Sequence, residues 1–171
     1  MKERCGIVTF QGNPLTLVGL EVKVGDPAPD AEVLANDLSP VKLSSFRGKV
    51  VVLSCVPSLD TPVCDTQTRK FNEKAAELGD NVVILTASMD LPFAQGRWCG
   101  AAGIDAVQTV SDHRSAELAT AYGVLIKELR LLARAVFVID KTGKVQYIEI
   151  VSEVTNEPNY DAALAAAEEL A

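Results

Sequence analysis

Cys64 has the surroundings that best suit a nucleophile in this chain. It closes the stretch Pro57 to Cys64, PSLDTPVC, at the junction of a turn-rich loop and a helical pattern. A helix N-terminus presents unpaired N–H groups and the positive end of a dipole, and both favour a thiolate. Thr61 sits three residues earlier. Its hydroxyl can donate to a thiolate and orient an attacking oxygen. Pro57 and Pro62 stiffen the loop and remove N–H groups that would compete. The opposing reading is a buried structural cysteine, a common fate for a free thiol. The density of turn formers before Cys64 weighs against it.

The other cysteines are Cys5, Cys55 and Cys99. No Cys-x-x-Cys occurs, and a zinc site wants close pairs and usually histidine. The only histidine, His113, has no cysteine nearby and reads as a surface loop residue. Cys55 falls inside an apolar run and reads as an inert small hydrophobe. Cys5 lies near the chain start, where it would be incidentally reactive. The residues alone leave Cys99, next to Trp98, as readily a helix-core side chain as a reactive one.

The elements around Cys64 follow from the hydrophobic pattern. Val50–Val56 reads as a buried strand. A helix follows over Val63–Leu78, with Phe71, Ala75 and Leu78 on one face. Asn81–Ala87 is a second buried strand, so the unit is βαβ with parallel strands. The end of such a strand, where it feeds a helix, is a habitual place for chemistry. A second helix starts at Pro92 or Phe93, since proline is allowed in the first turn. It contains Gly96, Gly100 and Gly103, each costing about 1 kcal/mol in a helix interior, and should be weak. A strand at Val107–Val110 and a helix at Ser115–Tyr122 come next. Ala135–Ile139 and Lys144–Ile150 are strands joined by the hairpin signal Asp140-Lys141-Thr142-Gly143. An Ala-rich amphipathic helix, Asn159–Leu170, closes the chain. Upstream, Ile7–Phe10 and Leu15–Val18 flank Gly12-Asn13-Pro14 as an N-terminal β-hairpin over residues 7–18. Ala31–Leu34 reads as a short strand, and Leu43–Gly48 as a helical turn or bend. Together these predict a single α/β domain over residues 1–171, with a thioredoxin-like fold whose mixed central sheet is flanked by helices.

Bulk composition narrows the partners. With 171 residues the chain fits one domain with a sizeable core. Its formal charge of -7 makes nucleic acid an unlikely match. The opening residues MKERCGIVTF lack the apolar core of a secretory signal. No apolar run approaches the ~18 residues of a membrane span. The expectation is a soluble cytoplasmic protein that binds neither nucleic acid nor membrane.

One resemblance sharpens this. PSLDTPVC fits the peroxiredoxin pattern Pro-x-x-x-Thr-x-x-Cys. VTFQGNPLTLVG (Val8–Gly19), SMDLPFAQGRWC (Ser88–Cys99), AYGV (Ala121–Val124), LARAVFVID (Leu132–Asp140) and EPNYDAAL (Glu157–Leu164) extend the match over essentially the whole chain. They resemble the bacterial thiol peroxidases, which are atypical two-cysteine peroxiredoxins using an intrachain disulfide. The resemblance implies that Cys64 is the peroxidatic cysteine, oxidised by peroxide to a sulfenic acid. It implies that Thr61 hydrogen-bonds the thiolate and the peroxide, and that Pro57 shields the sulfur. It makes Arg134 the catalytic arginine and Cys99 the resolving cysteine. Arg134 lies between apolar runs, which suits a buried functional arginine better than a solvated one. The glycines flanking Cys99 would let its helix unwind, as a disulfide requires Cα atoms about 4.4–6.8 Å apart. The substrates implied are hydrogen peroxide and organic hydroperoxides. Thioredoxin is the implied reductant and a homodimer the implied assembly, with no cofactor or metal.

One segment departs from the pattern. VLIKELRLLA, between Gly123 and Arg134, is shorter than the glycine-containing loop usual in relatives, and Ile126, Leu129 and Leu132 repeat at helical spacing. Two rival functions compete. A thioredoxin-like disulfide carrier would want Cys-x-x-Cys at the helix start, where this chain has one cysteine. A peroxide sensor would use the same residues but consume peroxide stoichiometrically.

Overall fold

The computed structural model describes residues 1–171. At its centre lies β5 (Val50–Cys55), whose six residues are all buried. Helix α1 (Pro62–Ala75) carries the chain to β6 (Val82–Ser88), parallel to β5 with Val50 opposite Val82 and Cys55 opposite Ala87. Helix α2 (Pro92–Ala102) leads to β7 (Gln108–Ser111), parallel to β6. On the other side of β5, β10 (Ala135–Ile139) and β11 (Val145–Ile150) run antiparallel. The far edge is completed by β3 (Glu32–Leu34) and β4 (Pro40–Lys42), giving a seven-stranded mixed sheet in the order β11-β10-β5-β6-β7-β3-β4.

Alternation along the strands divides the core. Val50, Val52, Ile84, Val136 and Val138 face α1 and the closing helix α4 (Tyr160–Leu170), packing against Phe71 and Leu164. Val51, Leu53, Leu85 and Phe137 face the opposite way, into a larger cluster. That cluster is covered by α3 (Glu117–Ala121) and a second sheet built on the N-terminal hairpin, β1 (Glu3–Phe10) with β2 (Asn13–Val18). No helix is long and apolar enough to cross a membrane.

The structure departs from the sequence expectations in several places. The hairpin starts earlier than Ile7, because a register shift between Cys5 and Val8 lets β1 bend and continue to Glu3. Gly103 is not inside α2; it ends the helix with φ 66°, a conformation that costs glycine nothing. Helix α1 stops at Ala75 and α3 spans only Glu117–Ala121, both shorter than their patterns suggest. The segment before Arg134 is not helical. It forms a second hairpin, β8 (Leu125–Ile126) and β9 (Leu131–Leu132), joined to β2 through Leu17 opposite Ile126. Within each pair one leucine or isoleucine is fully buried and its neighbour half-exposed, which is strand periodicity. Leu129, the middle member of the helical pattern, is 43% exposed at the turn.

Candidate active site

The buried run of β5 delivers the chain to Pro57, itself buried, and the polar residues that follow turn it into α1. Thr61 is the N-cap. Its backbone is extended, its Oγ1 accepts from the Cys64 N–H at 3.4 Å, and its hydroxyl proton goes to the Ser58 carbonyl at 3.0 Å. Pro62 takes the first helical position, where its missing N–H costs nothing. Cys64 is thereby fixed in the first turn, fully buried in a small cluster with Val56 and Leu59 against which Trp98 packs. A shallow depression lined by Thr61, Pro62, Asp65 and Trp98 opens over this turn.

Arg134 reaches the same point from the loop before β10. It is 2% exposed, the bulkiest fully buried side chain. Nε donates to the Val154 carbonyl at 2.9 Å, Nη1 to Gln67 Oε1 at 2.8 Å, and Nη2 to Cys64 Sγ at 3.4 Å. None of the ion pairs involves Arg134. A buried guanidinium held by neutral acceptors costs several kcal/mol unless a negative charge joins it. The one partner here able to become an anion is the Cys64 sulfur. Nearby, Tyr160 donates to Glu157 at 2.8 Å, and Lys70 donates to the same oxygen at 3.0 Å. Burial and then the Glu157 bond push the Tyr160 phenol up. Glu157 is held below its usual range, first by the bond from Lys70 and then by that from Tyr160.

Cys99 lies apart from this cluster. It is half-buried on α2, and its sulfur is 3.5 Å from Thr109 Oγ1. The Thr109 hydroxyl donates to Asn36 Oδ1 at 2.9 Å, so the Cys99 thiol is the donor in that contact. All four cysteines are thiols. Cys5 is exposed, and Cys55 is buried on the face of the sheet opposite α1 and α4. Burial and then the Asp112 charge push the Cys55 thiol up, which suits an inert side chain. His113 sits in the turn after β7, partly buried and on neither cysteine-bearing helix.

The structure therefore brings Cys64, Arg134 and Thr61 together, with Pro57 buried in the same loop, and gives Cys99 separate partners. Three further groups belong to this region and were not singled out from the sequence. Gln67 accepts from Arg134 and donates to Ser54 Oγ at 2.8 Å. Its position three residues after Cys64, on the same helix face, was the available signal. Asp90 accepts from the Ser58 hydroxyl at 2.6 Å, the Leu59 N–H at 2.8 Å and the Ser88 hydroxyl at 2.7 Å. It ties the loop before Cys64 to the turn that starts α2. Asp65 accepts from the Trp98 indole, linking the residues beside the two cysteines.

A redoxin family model matches residues 23–164. A thiol peroxidase of Bacillus subtilis (strain 168) is 61% identical over 163 residues, 95% of this chain and 97% of that protein. The chain belongs to the thiol peroxidase family. A thiol peroxidase of Listeria monocytogenes serovar 1/2a is 56% identical over 94% of this chain and 96% of the relative. Among solved structures, a peroxiredoxin-like protein from Aquifex aeolicus superposes with a TM-score of 0.91 at 49% identity, covering 96% of each chain. A thiol peroxidase from Chromobacterium violaceum shares the fold, with a TM-score of 0.83 at 19% identity over 95% of each chain. As a thiol peroxidase family member this chain is a redox-active enzyme, and its thioredoxin-like mixed sheet is the family's architecture.

Proposed function

We propose that the chain reduces hydrogen peroxide and organic hydroperoxides through Cys64, with Cys99 as the resolving thiol and thioredoxin as the reductant. The observation that carries this reading is the buried Arg134 aiming Nη2 at Cys64 Sγ from 3.4 Å while forming no ion pair with a carboxylate. A guanidinium in that setting offers its charge to whatever negative charge forms at the sulfur.

The Cys64 thiolate attacks the terminal oxygen of the peroxide. The sulfur–oxygen bond forms as the O–O bond breaks, leaving a sulfenic acid and an alkoxide or hydroxide that takes up a proton. Negative charge moves from sulfur to the departing oxygen, so fixed donors near both atoms stabilise the transition state. Arg134 is one such donor. Thr61, at the mouth of the helix, is the second once its proton turns from Ser58 to the bound peroxide. Cys99 then condenses with the sulfenic acid, releasing water and giving a Cys64–Cys99 disulfide. A dithiol such as thioredoxin reduces it, becoming a disulfide itself. The two cysteines have different partners here, so the second step requires the first turn of α1 and the end of α2 to rearrange.

The test is NADPH consumption with thioredoxin and its reductase, comparing hydrogen peroxide with an alkyl hydroperoxide. Steady consumption that disappears in Cys64→Ser supports the reading. Peroxide loss that stops after one equivalent per chain, with thioredoxin present, overturns it in favour of a sensor. The homodimer belongs to the same reading, and sedimentation over a dilution series tests it.

A further inference from the structure

The ground on which the two cysteine-bearing helices rest changes character part-way along the sheet. On the helix-facing side, the row nearer the strand starts is apolar, with Val138 opposite Val52 and Val52 opposite Ile84. Two residues further on, the strand positions on β5, β6 and β7 are Ser54, Thr86 and Thr109, each directly opposite the next. All three are buried. Ser54 is held by Gln67 of α1, and Thr109 is held by Asn36 and touched by Cys99 of α2. The row therefore runs beneath both redox helices, from the Arg134–Gln67 pair on one side to the Cys99 thiol on the other.

Its middle member is the exception. The Thr86 hydroxyl is buried and has no protein hydrogen-bond partner. Only three buried polar side-chain atoms share that condition. A second is Gln95 Oε1, on α2 one turn before Cys99, whose Nε2 is satisfied by Ser88 and the Val110 carbonyl. Two of the three thus lie where the helices must separate from the sheet. A buried hydroxyl without a partner raises the free energy of the closed state, and that penalty vanishes when water reaches it. By contrast Phe71, further along α1, packs on Val50, Val52 and Ile84, so exposing it to water is unfavourable.

We propose that Thr86 is a positioning residue for the resolution step: its unpartnered hydroxyl destabilises the closed packing of the first turn of α1 and of α2 on the sheet, and so eases the opening that brings Cys64 to Cys99. Phe71 limits that opening to the helix start. The inference rests on the reading of Cys99 as the resolving thiol.

Thr86→Val replaces the hydroxyl with a methyl of the same shape, and Thr86→Ser keeps it. Both are tested as full chains with one equivalent of hydrogen peroxide. Capture is followed through the single tryptophan, and disulfide formation by alkylation and mass spectrometry. Thr86→Val should capture peroxide at the wild-type rate, form the disulfide roughly fivefold more slowly or slower still, and accumulate more Cys64 sulfinic acid in excess peroxide. Its melting temperature should rise, and Thr86→Ser should match the wild type. An unchanged or faster disulfide rate in Thr86→Val overturns the inference, as does parallel slowing of capture and resolution. A lowered melting temperature also overturns it, since the hydroxyl would then be satisfied. Absence of a Cys64–Cys99 disulfide in the oxidised wild type overturns the underlying reading as well; its presence with unchanged Thr86→Val kinetics defeats this inference alone.

Discussion

Asp65 and Trp98 hold each other across the gap between the two cysteine-bearing helices: the indole Nε1 donates to Asp65 Oδ1 at 2.9 Å. Each stands beside a cysteine in sequence, Asp65 after Cys64 and Trp98 before Cys99. Arg69 completes the contact, donating to Asp65 at 2.8 Å and lying 5.7 Å over the indole ring. Asp65→Ala removes the acceptor and should cost about 1.5 kcal/mol of stability, the low end of the scale for a hydrogen bond to a charged group, since Asp65 is partly exposed. It should also red-shift Trp98 emission in the reduced protein and speed disulfide formation. Emission spectra and melting curves of the reduced mutant check the first two effects, and alkylation kinetics the third.

Arg134→Met should slow the peroxide step by about 100-fold or more, the usual effect of removing a transition-state donor. The fold should survive, because exchanging a buried charge for an apolar side chain of similar length is often tolerated. Stopped-flow capture and near-ultraviolet circular dichroism test both halves. Wild-type capture would move the role to another arginine, with Arg130 and Arg97 next in line.

Cys99→Ser should capture one equivalent of peroxide per chain at nearly the normal rate and then stop. Mass spectrometry should find one added oxygen on Cys64, and excess peroxide should carry it to the sulfinic acid. Normal thioredoxin-dependent turnover in this mutant would return Cys99 to the helix core. The resolving thiol would then be Cys5, Cys55 or a cysteine of another chain.

Acid titration should show two opposed effects. Burial pushes the Asp112 carboxyl, which caps α3 through the Leu118 and Ala119 N–H groups, up to about 6. Its folded value lies above its unfolded one, so the folded state holds the extra proton. The stability it contributes is fully present below about 4 and lost as pH rises to about 6, on the order of 3 kcal/mol. Glu153 runs the other way. N–H groups of Thr155 and Gly12 lower its carboxyl to about 2, so its contribution is present above about 4.5 and fades as pH falls towards that value. Comparing melting temperatures of Asp112→Asn and wild type between pH 4 and 6 isolates the first effect. A constant difference across that window would show that Asp112 does not titrate there.

The central βαβ unit, the closing hairpin and the place of Cys64 at a helix start were legible because each rests on a long periodic run or a strong turn signal. The burial of Arg134 was legible from its apolar flanks. The β8–β9 hairpin was not, since two-residue strands carry no period, and Ile126, Leu129 and Leu132 fit a helix as well as a turn. The short strand β4 escaped for the same reason, with Pro40 discouraging a strand at what proves to be a sheet edge. The row Ser54, Thr86 and Thr109 was out of reach. Its members are spread over three strands and become neighbours only through sheet register. Gln67 was closer to hand, but its partners Arg134 and Ser54 come from other elements.

Thr61 serves two masters at once. It caps the first turn of α1, and in the proposed mechanism it also orients the bound peroxide. In the proposed cycle, when that turn unwinds to carry Cys64 towards Cys99, the cap would be lost with it, so the machinery for capturing a second peroxide would be dismantled by processing the first. Such an enzyme would work as a turnstile: each passage would lock it until a reductant reset the helix. In a cell under rising peroxide, its throughput would follow the supply of reduced thioredoxin rather than the peroxide itself.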